Sequence, residues 1–270
     1  MLKTNISDTW LNDEPASAMT LALDVVESLY GLAERDQAEV ALFALEQELA
    51  RHFAEQEQIT GHDLLAAVFG PLGFAGDWER FFSVDNCVIS EVLSRRRGIP
   101  VTLAIVLLYL CERFNIHAEG IGFPGHFLVR IGEGEHSEII DPFTGKALTR
   151  DKMKLMLRGA RGNLATLKPV HLAQVSPSEI LTRLLNVSKG AFIHHQQLEQ
   201  ALMCCELLLK LKPDCPFERR DRGFLYQQLD CHQLASEDFE YFIEQCPDDP
   251  VSDVLKVQML ALDSIPQTLH

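Results

Sequence analysis

The chain has 270 residues, with 24 Lys and Arg against 39 Asp and Glu, a formal charge of −15. With 47% hydrophobic and 23% charged residues the composition is that of an ordinary globular protein, long enough to bury a core without staples. So acidic a chain disfavours direct nucleic-acid binding, which needs a basic face to neutralise phosphates.

The first fifteen residues, MLKTNISDTWLNDEP, lack an apolar core segment and do not read as a signal peptide. From Ser17 to Ala33, Met19, Leu23, Val26 and Tyr30 recur at helical steps and predict an amphipathic helix. Leu42, Leu45, Leu49 and Phe53 predict a second over 36–55, with Gln47, Glu48, Arg51 and Glu55 on its solvated face. A short helix follows over 60–68, capped by Thr60. Gly70, Pro71, Gly73 and Gly76 then mark a loop. The stretch 87–96 reads as a helix stopped by Gly98 and Pro100, and 101–114 as a helix apolar almost all round, hence buried. Runs at 117–122, 127–131 and 137–140 predict a small antiparallel sheet packed on that helix. The longest apolar stretch, Ile99 to Cys111, is too short to cross a membrane.

The last third repeats itself. Phe192 and Tyr226, Ala201 and Ala235, and Pro213 and Pro247 each lie 34 residues apart, the period of tetratricopeptide repeats. The small Ala lets paired helices approach, and Pro ends the second helix of each unit. Gly223 and Tyr226 fit first-helix positions of the second unit, whereas the first unit lacks the matching Gly. Residues 252–262 would cap the array. The resulting domain plan is a helical leader over 1–72, a core over 73–165 and two repeats with a cap over 175–270, the boundary falling near the interruptions at Gly159, Gly162 and Pro169.

The segment able to carry chemistry runs from Arg95-Arg96-Arg97-Gly98-Ile99-Pro100 through the buried helix to Pro124-Gly125-His126, and ends at Ile140-Asp141-Pro142. Helix, strand with His, strand with Asp is the order of papain-like and transglutaminase-like cores. There a thiolate at the helix start attacks, the His serves as base and the Asp orients it. The words RRRGIPVTLA, GFPGHFLVRI and IIDPFTG, within about 73–159, resemble the SirB-type transglutaminase-like family of bacteria, named for an association with up-regulated invasion-gene expression. The resemblance implies an α+β, mostly helical protein in which a helical leader and this core precede C-terminal tetratricopeptide repeats. It also implies that His126 and Asp141 match the catalytic His and Asp of active relatives.

The nucleophile departs from that pattern. None of Ile99, Pro100, Val101 or Thr102 is Cys. Cys111 lies nine residues past Thr102, about 13 Å along a helix at about 1.5 Å per residue, among apolar neighbours. Cys87 precedes the arginine run, and the Thr102 hydroxyl stands near the right place but is a weak nucleophile. His126, Asp141 and Thr102 therefore form a vestigial or unusual catalytic set. The bland alternatives are a structural His126–Asp141 pair and a strand-ending turn at Asp141-Pro142.

Arg95 to Arg97 reads as a solvated helix end, or else as an anion site. Arg130 shares a strand face with Leu128 and is expected to pair with an acid. His194-His195 lacks metal-ligand spacing, and no zinc motif, P-loop or dinucleotide fingerprint occurs, so no metal or cofactor is expected. Glu218, Arg219, Arg220, Asp221 and Arg222 read as an ion-pair network. Alternatively Arg219, Arg222 and Tyr226 line a groove for a protein or peptide partner. Seven cysteines in no regular framework fit reduced thiols in a cytoplasm. Function is thus expected to be that of a non-catalytic regulator or scaffold, the alternative being a hydrolase or acyl-transferase built on His126 and Asp141.

Overall fold

A computed structural model describes residues 16–262; the amino-terminal expectation for residues 1–15 lies outside them. The chain forms two compact units, one up to Leu184 and one from Leu185. The division falls inside a helix, beyond the Gly- and Pro-marked stretch 159–174 where the sequence suggests it.

The first unit opens with α1 (Ala18–Tyr30), capped by the Ser17 side chain, and α2 (Leu32–His52), joined through Gly31. Met19, Leu23 and Val26 are buried as the periodicity requires, but Tyr30, the last residue of α1, is exposed. Leu42, Leu45, Leu49 and Phe53 form the buried stripe of α2. Glu48 leaves the solvated face to pair with Arg96 at 2.6 Å. In α3 (Gly61–Phe69), Thr60 and Asp63 cap each other reciprocally.

A two-residue strand β1 (Ala75–Gly76) pairs in parallel with β2 (Arg97–Gly98), and α4 (Ile89–Arg95) lies between them in sequence. Helix α5 (Pro100–Arg113) is the centre of the unit, with ten of its residues buried. Its apolar composition all round follows from neighbours on every side, including α1, α4 and the main sheet. That sheet is antiparallel, in the order β3 (Ala118–Ile121), β4 (Leu128–Ile131), β5 (Glu138–Asp141) and β6 (Lys146–Ala147).

The sheet is covered on both faces, where the sequence suggested one. Helix α6 (Arg150–Arg161), capped by Thr149, buries Met153 and Leu157 against Ile121, Phe123 and Leu128. Its two buried residues, a four-residue step apart, carry little apolar signal among five lysines and arginines, so the helix is inconspicuous in the sequence. Double coverage explains why both Leu128 and Val129 on β4 are fully buried. The outer edge of β3 is closed by the segment at Gln174 and Val175.

Helix α7 (Pro177–His194) carries the chain through the division. The second unit continues with α8 (Leu198–Leu211), α9 (Pro216–Gln228), α10 (His232–Gln245) and α11 (Pro250–Leu262). Ala201 and Ala235 are fully buried where the repeat pattern needs small residues, and Pro216 and Pro250 occupy first-turn positions that tolerate a missing N–H. Ala235, Phe239, Phe242 and Leu255 form the core of the second repeat and its cap. No helix among the described residues is long and apolar enough to cross a membrane.

Candidate active site

The amino end of α5 is where a catalytic thiol would stand. Ile99 caps the helix and Pro100 fills its first position, supplying neither thiol nor N–H. Thr102 is fully buried. Its hydroxyl accepts the Ile99 N–H at 3.1 Å, and its proton faces the carbonyls of Asn86 at 2.9 Å and Ile99 at 3.1 Å. Each of these partners is backbone, so the hydroxyl acts as a helix-start clamp tying the 84–86 turn to α5. Because Asn86 immediately precedes Cys87, that bond also brings the Cys87 backbone to the first turn of α5. Cys111 is fully buried further along the helix, and burial pushes its thiol up to about 12, which keeps it protonated and unreactive.

His126 and Asp141 are brought together. The chain turns at Pro124-Gly125, where Gly125 has φ of +72° and a Cβ would lie 2.8 Å from that of Ala160, so only glycine fits. That turn sets His126 ahead of β4, and the β4–β5 register, Val129 opposite Ile140, places Asp141 at the same end of the sheet. His126 Nε2 lies 2.8 Å from Asp141 Oδ1. Asp141 is 7% exposed, and it also accepts the Phe143 N–H at 2.9 Å and the Thr144 hydroxyl at 3.0 Å. Burial works against its charge. The bonds from His126, Phe143 and Thr144, with the attraction of the imidazole, outweigh burial and hold the carboxyl below its ordinary range. An ionised carboxylate only accepts, so Nε2 carries a hydrogen; in a neutral imidazole held this way the lone pair would be on Nδ1. That is the tautomer a general base needs. Among the described residues nothing hydrogen-bonds Nδ1.

A stability test follows from the sign of that shift. A carboxyl with a depressed folded pKa stabilises the fold above its unfolded value, about 3.9, and loses that contribution as pH falls through the folded value. Asp141→Asn is expected to lower the urea midpoint at about pH 7 by an amount equivalent to about 1–3 kcal/mol. The gap from wild type should narrow steadily as pH falls below about 4. A gap independent of pH would contradict an ionised, hydrogen-bonded Asp141.

Backbone bonds link the dyad to the helix start. Gly76 N–H donates to the Phe143 carbonyl at 2.9 Å, and the Asp77 N–H to that of Gly98 at 3.0 Å. The Phe143 ring lies on Gly76, where a Cβ would sit 2.3 Å from it. The arginine run is not a merely solvated helix end. Arg95 reaches Asn86 Oδ1 at 3.0 Å and Asp77 at 3.4 Å, while Arg96 binds Glu48 and the Leu72 carbonyl at 2.5 Å. Only Arg97 is exposed, bonded to the carbonyls of Gly73 and Arg96. Arg130 pairs across the strands with Glu119 and donates to the Leu172 carbonyl at 2.6 Å. Sequence reading missed Asp77, Asn86, Phe143 and Thr144 as supports of the site. Phe143 and Thr144 were in view inside the word IIDPFTG, but carry no chemistry until the turn after β5 folds them back onto Asp141. No group of three or more His, Cys, Asp or Glu able to hold a metal occurs among the described residues.

The three residues assigned to a partner groove lie on α9 and are engaged within their own repeat. Arg222 grips Asp238 with two parallel bonds of 2.7 and 2.8 Å, and its guanidinium lies 5.6 Å from the centre of the Tyr226 ring. Arg219 stacks 4.1 Å over Tyr241. Tyr226 packs against the Ala235–Phe242 core. Lys189, nearly buried, meets Glu218 at 2.7 Å and Asp221 at 2.8 Å. Burial works to lower its pKa, but the two carboxylates hold it up at about 12.

Comparison with known proteins agrees with this architecture. Residues 36–186 match the transglutaminase-like superfamily, and residues 189–260 match the tetratricopeptide repeat. A UPF0162 protein of Vibrio cholerae is 39% identical over 260 residues, covering 92% of this chain and 96% of the relative. Protein SirB1 of Salmonella typhimurium is 31% identical over 87% of each chain. The UPF0162 protein YchA of Escherichia coli K12 is 30% identical over 94% of this chain and 95% of its own. No solved structure matches the chain. With a transglutaminase-like unit carrying a His–Asp pair, followed by tetratricopeptide repeats, the chain belongs to the SirB1/UPF0162 family.

Proposed function

We propose that this protein is a non-catalytic regulatory or scaffold protein: its repeat unit binds a protein or peptide partner, and its transglutaminase-like unit is a degenerate enzyme. One observation carries the reading. The helix start that should present an attacking group presents Pro100, and the nearest hydroxyl, on Thr102, is buried and spent on backbone. Tetratricopeptide repeats, as stacked helix pairs, are suited to holding a peptide or another helix. The acidity of the chain favours a protein over a nucleic acid as that partner.

The test is affinity capture with the full chain and with a truncation after Leu184. That truncation retains the segment at Gln174 and Val175 that closes the β3 edge. Circular dichroism first checks that the truncated chain is folded. Partners captured by the full chain should be lost from the truncation. If every partner is kept, the repeats are not the recognition surface.

A second reading has a specific observation behind it. His126 turns Nε2 to Asp141, the orientation of a base, and the Thr102–Asn86 bond holds the chain next to Cys87 at the first turn of α5. On this reading the protein is a thiol hydrolase or acyl-transferase with Cys87 displaced from the usual position, and reactivity of Cys87 would depend on His126.

A further inference from the structure

The chain carries a formal charge of −15, yet one helix runs against that balance. Along α6 five cations stand against a single acid, Asp151. Arg150, Lys154, Arg158 and Arg161 follow one another at steps of four, four and three residues, which lines them along one flank of the helix over about 16 Å. Lys152 stands on the other side of Leu155, which is 70% exposed, and Leu164, just past the helix end, is 97% exposed. Asp151 is taken by Lys154 at 2.8 Å. Arg150, Lys152, Arg158 and Arg161 are all exposed, and none of them forms an ion pair among the described residues.

Fold stability accounts for only part of this row. Arg158 and Arg161 sit in the last turn, where the helix dipole favours cations. Arg150 and Lys152 sit in the first turn, where the same dipole favours acids. Arg150 with Lys154, and Lys154 with Arg158, are like charges one turn apart, which repel. An anion laid along the flank would relieve both conflicts at once. The row also reaches the dyad. Ala160 lies against Gly125, so the carboxyl end of α6 is packed on the turn that sets His126.

We propose that α6 docks an acidic segment of a partner polypeptide, its carboxylates on the row from Arg150 to Arg161 and its apolar side chains on Leu155 and Leu164. Charge complementarity selects the occupant. An anionic bilayer or a nucleic-acid duplex is an extended surface, and its approach would bring the rest of this acidic chain against like charge. The apolar face of α6, Met153 and Leu157, is spent on the sheet and so is not free to lie in lipid. Residues 150–170 contain no aromatic ring on which a base could stack. A narrow acidic segment meets the row alone. The site belongs to the transglutaminase-like unit, so capture through the repeats can fail while this site holds, and the reverse.

The probe is a fluorescein-labelled peptide of about ten glutamates with a central leucine, titrated by fluorescence anisotropy against the full-length protein at about 0.15 M salt. Binding should be lost when glutamine replaces the glutamates and should weaken when serine replaces the leucine. Combining Arg150→Gln, Lys152→Gln and Arg158→Gln should weaken it about tenfold or more. Arg51→Gln, which removes an exposed cation from α2, should leave it unchanged. The urea midpoint of the triple variant should not fall, because the first-turn cations do not stabilise the free chain. Four outcomes would overturn the proposal: the glutamate peptide does not bind; the triple variant binds it as well as wild type; the triple variant is less stable, which would make the cations structural; or phosphatidylglycerol vesicles or single-stranded DNA bind through the same residues more tightly than the peptide, which would make α6 a lipid or nucleic-acid surface.

Discussion

Replacing Gly223 with valine is expected to cost the second repeat about 3 kcal/mol, a large share of the about 5–15 kcal/mol that holds an ordinary domain together. A Cβ at this position would meet the Phe239 ring at 2.7 Å and the Ala235 carbonyl at 3.3 Å. Phe239 is fully buried and cannot move aside, so α9 must lift from α10. The alanine variant isolates the cause. Helix propensity alone predicts that Gly223→Ala stabilises by about 1 kcal/mol, whereas the packing predicts destabilisation of similar size. Hydrogen exchange over residues 216–245 reads the effect where it occurs. A slowing of exchange in the alanine variant would refute the close helix approach.

Lys189→Met is the second large effect. At the position 34 residues before Gly223, the first repeat holds an ammonium nearly sealed from water, with Glu218 and Asp221 closing on it. Removing the cation leaves Glu218 without its counter-charge beside Asp221, which keeps only Arg220 at 2.7 Å, in a poorly solvated place. Breaking buried pairs from one side costs about 3–5 kcal/mol, and partial exposure of the two acids puts the expected loss near the lower end, about 3 kcal/mol. Adding Glu218→Gln and Asp221→Asn to Lys189→Met should restore more than half of the lost stability, because the stranded charges go with it. A chemical-denaturation series of the single and triple variants decides. If the single variant is as stable as wild type, the cluster contributes no net stability, as exposed ion pairs often do not.

Much of this was legible in the sequence, for reasons that differ by element. The stripe Leu42-Leu45-Leu49-Phe53 and the apolar run after Pro100 announce their burial because periodicity and hydropathy are local. The 34-residue echo survives because each repeat must keep a small residue at Ala201 and Ala235, both fully buried. His126 and Asp141 were nameable as a pair because a short strand register carries one to the other, and they meet at 2.8 Å. What escaped depends on long-range contact. Helix α6 covers the second face of the sheet with only two buried side chains, and the β1–β2 pair is two residues long. Arg95 and Arg96 look like a solvated run until Asp77, Asn86 and Glu48 arrive from distant segments to bind them. Arg219, Arg222 and Tyr226 suggested a groove, whereas Asp238, Tyr241 and the Phe239 core engage them. Sequence spacing identifies the helix these residues share, but not which charges on the next helix reach back to meet them.

The proposed degenerate enzyme has a base and its orienting acid in His126 and Asp141 but no competent nucleophile. The most direct measurement is the rate of iodoacetamide labelling at Cys87 across about pH 5 to 9, read by peptide mass spectrometry in wild type and in His126→Ala. The expected result is slow modification of this buried thiol, at a rate that does not change when the imidazole is removed. Rapid labelling at neutral pH that collapses in His126→Ala would contradict it, placing a working thiolate beside the ring.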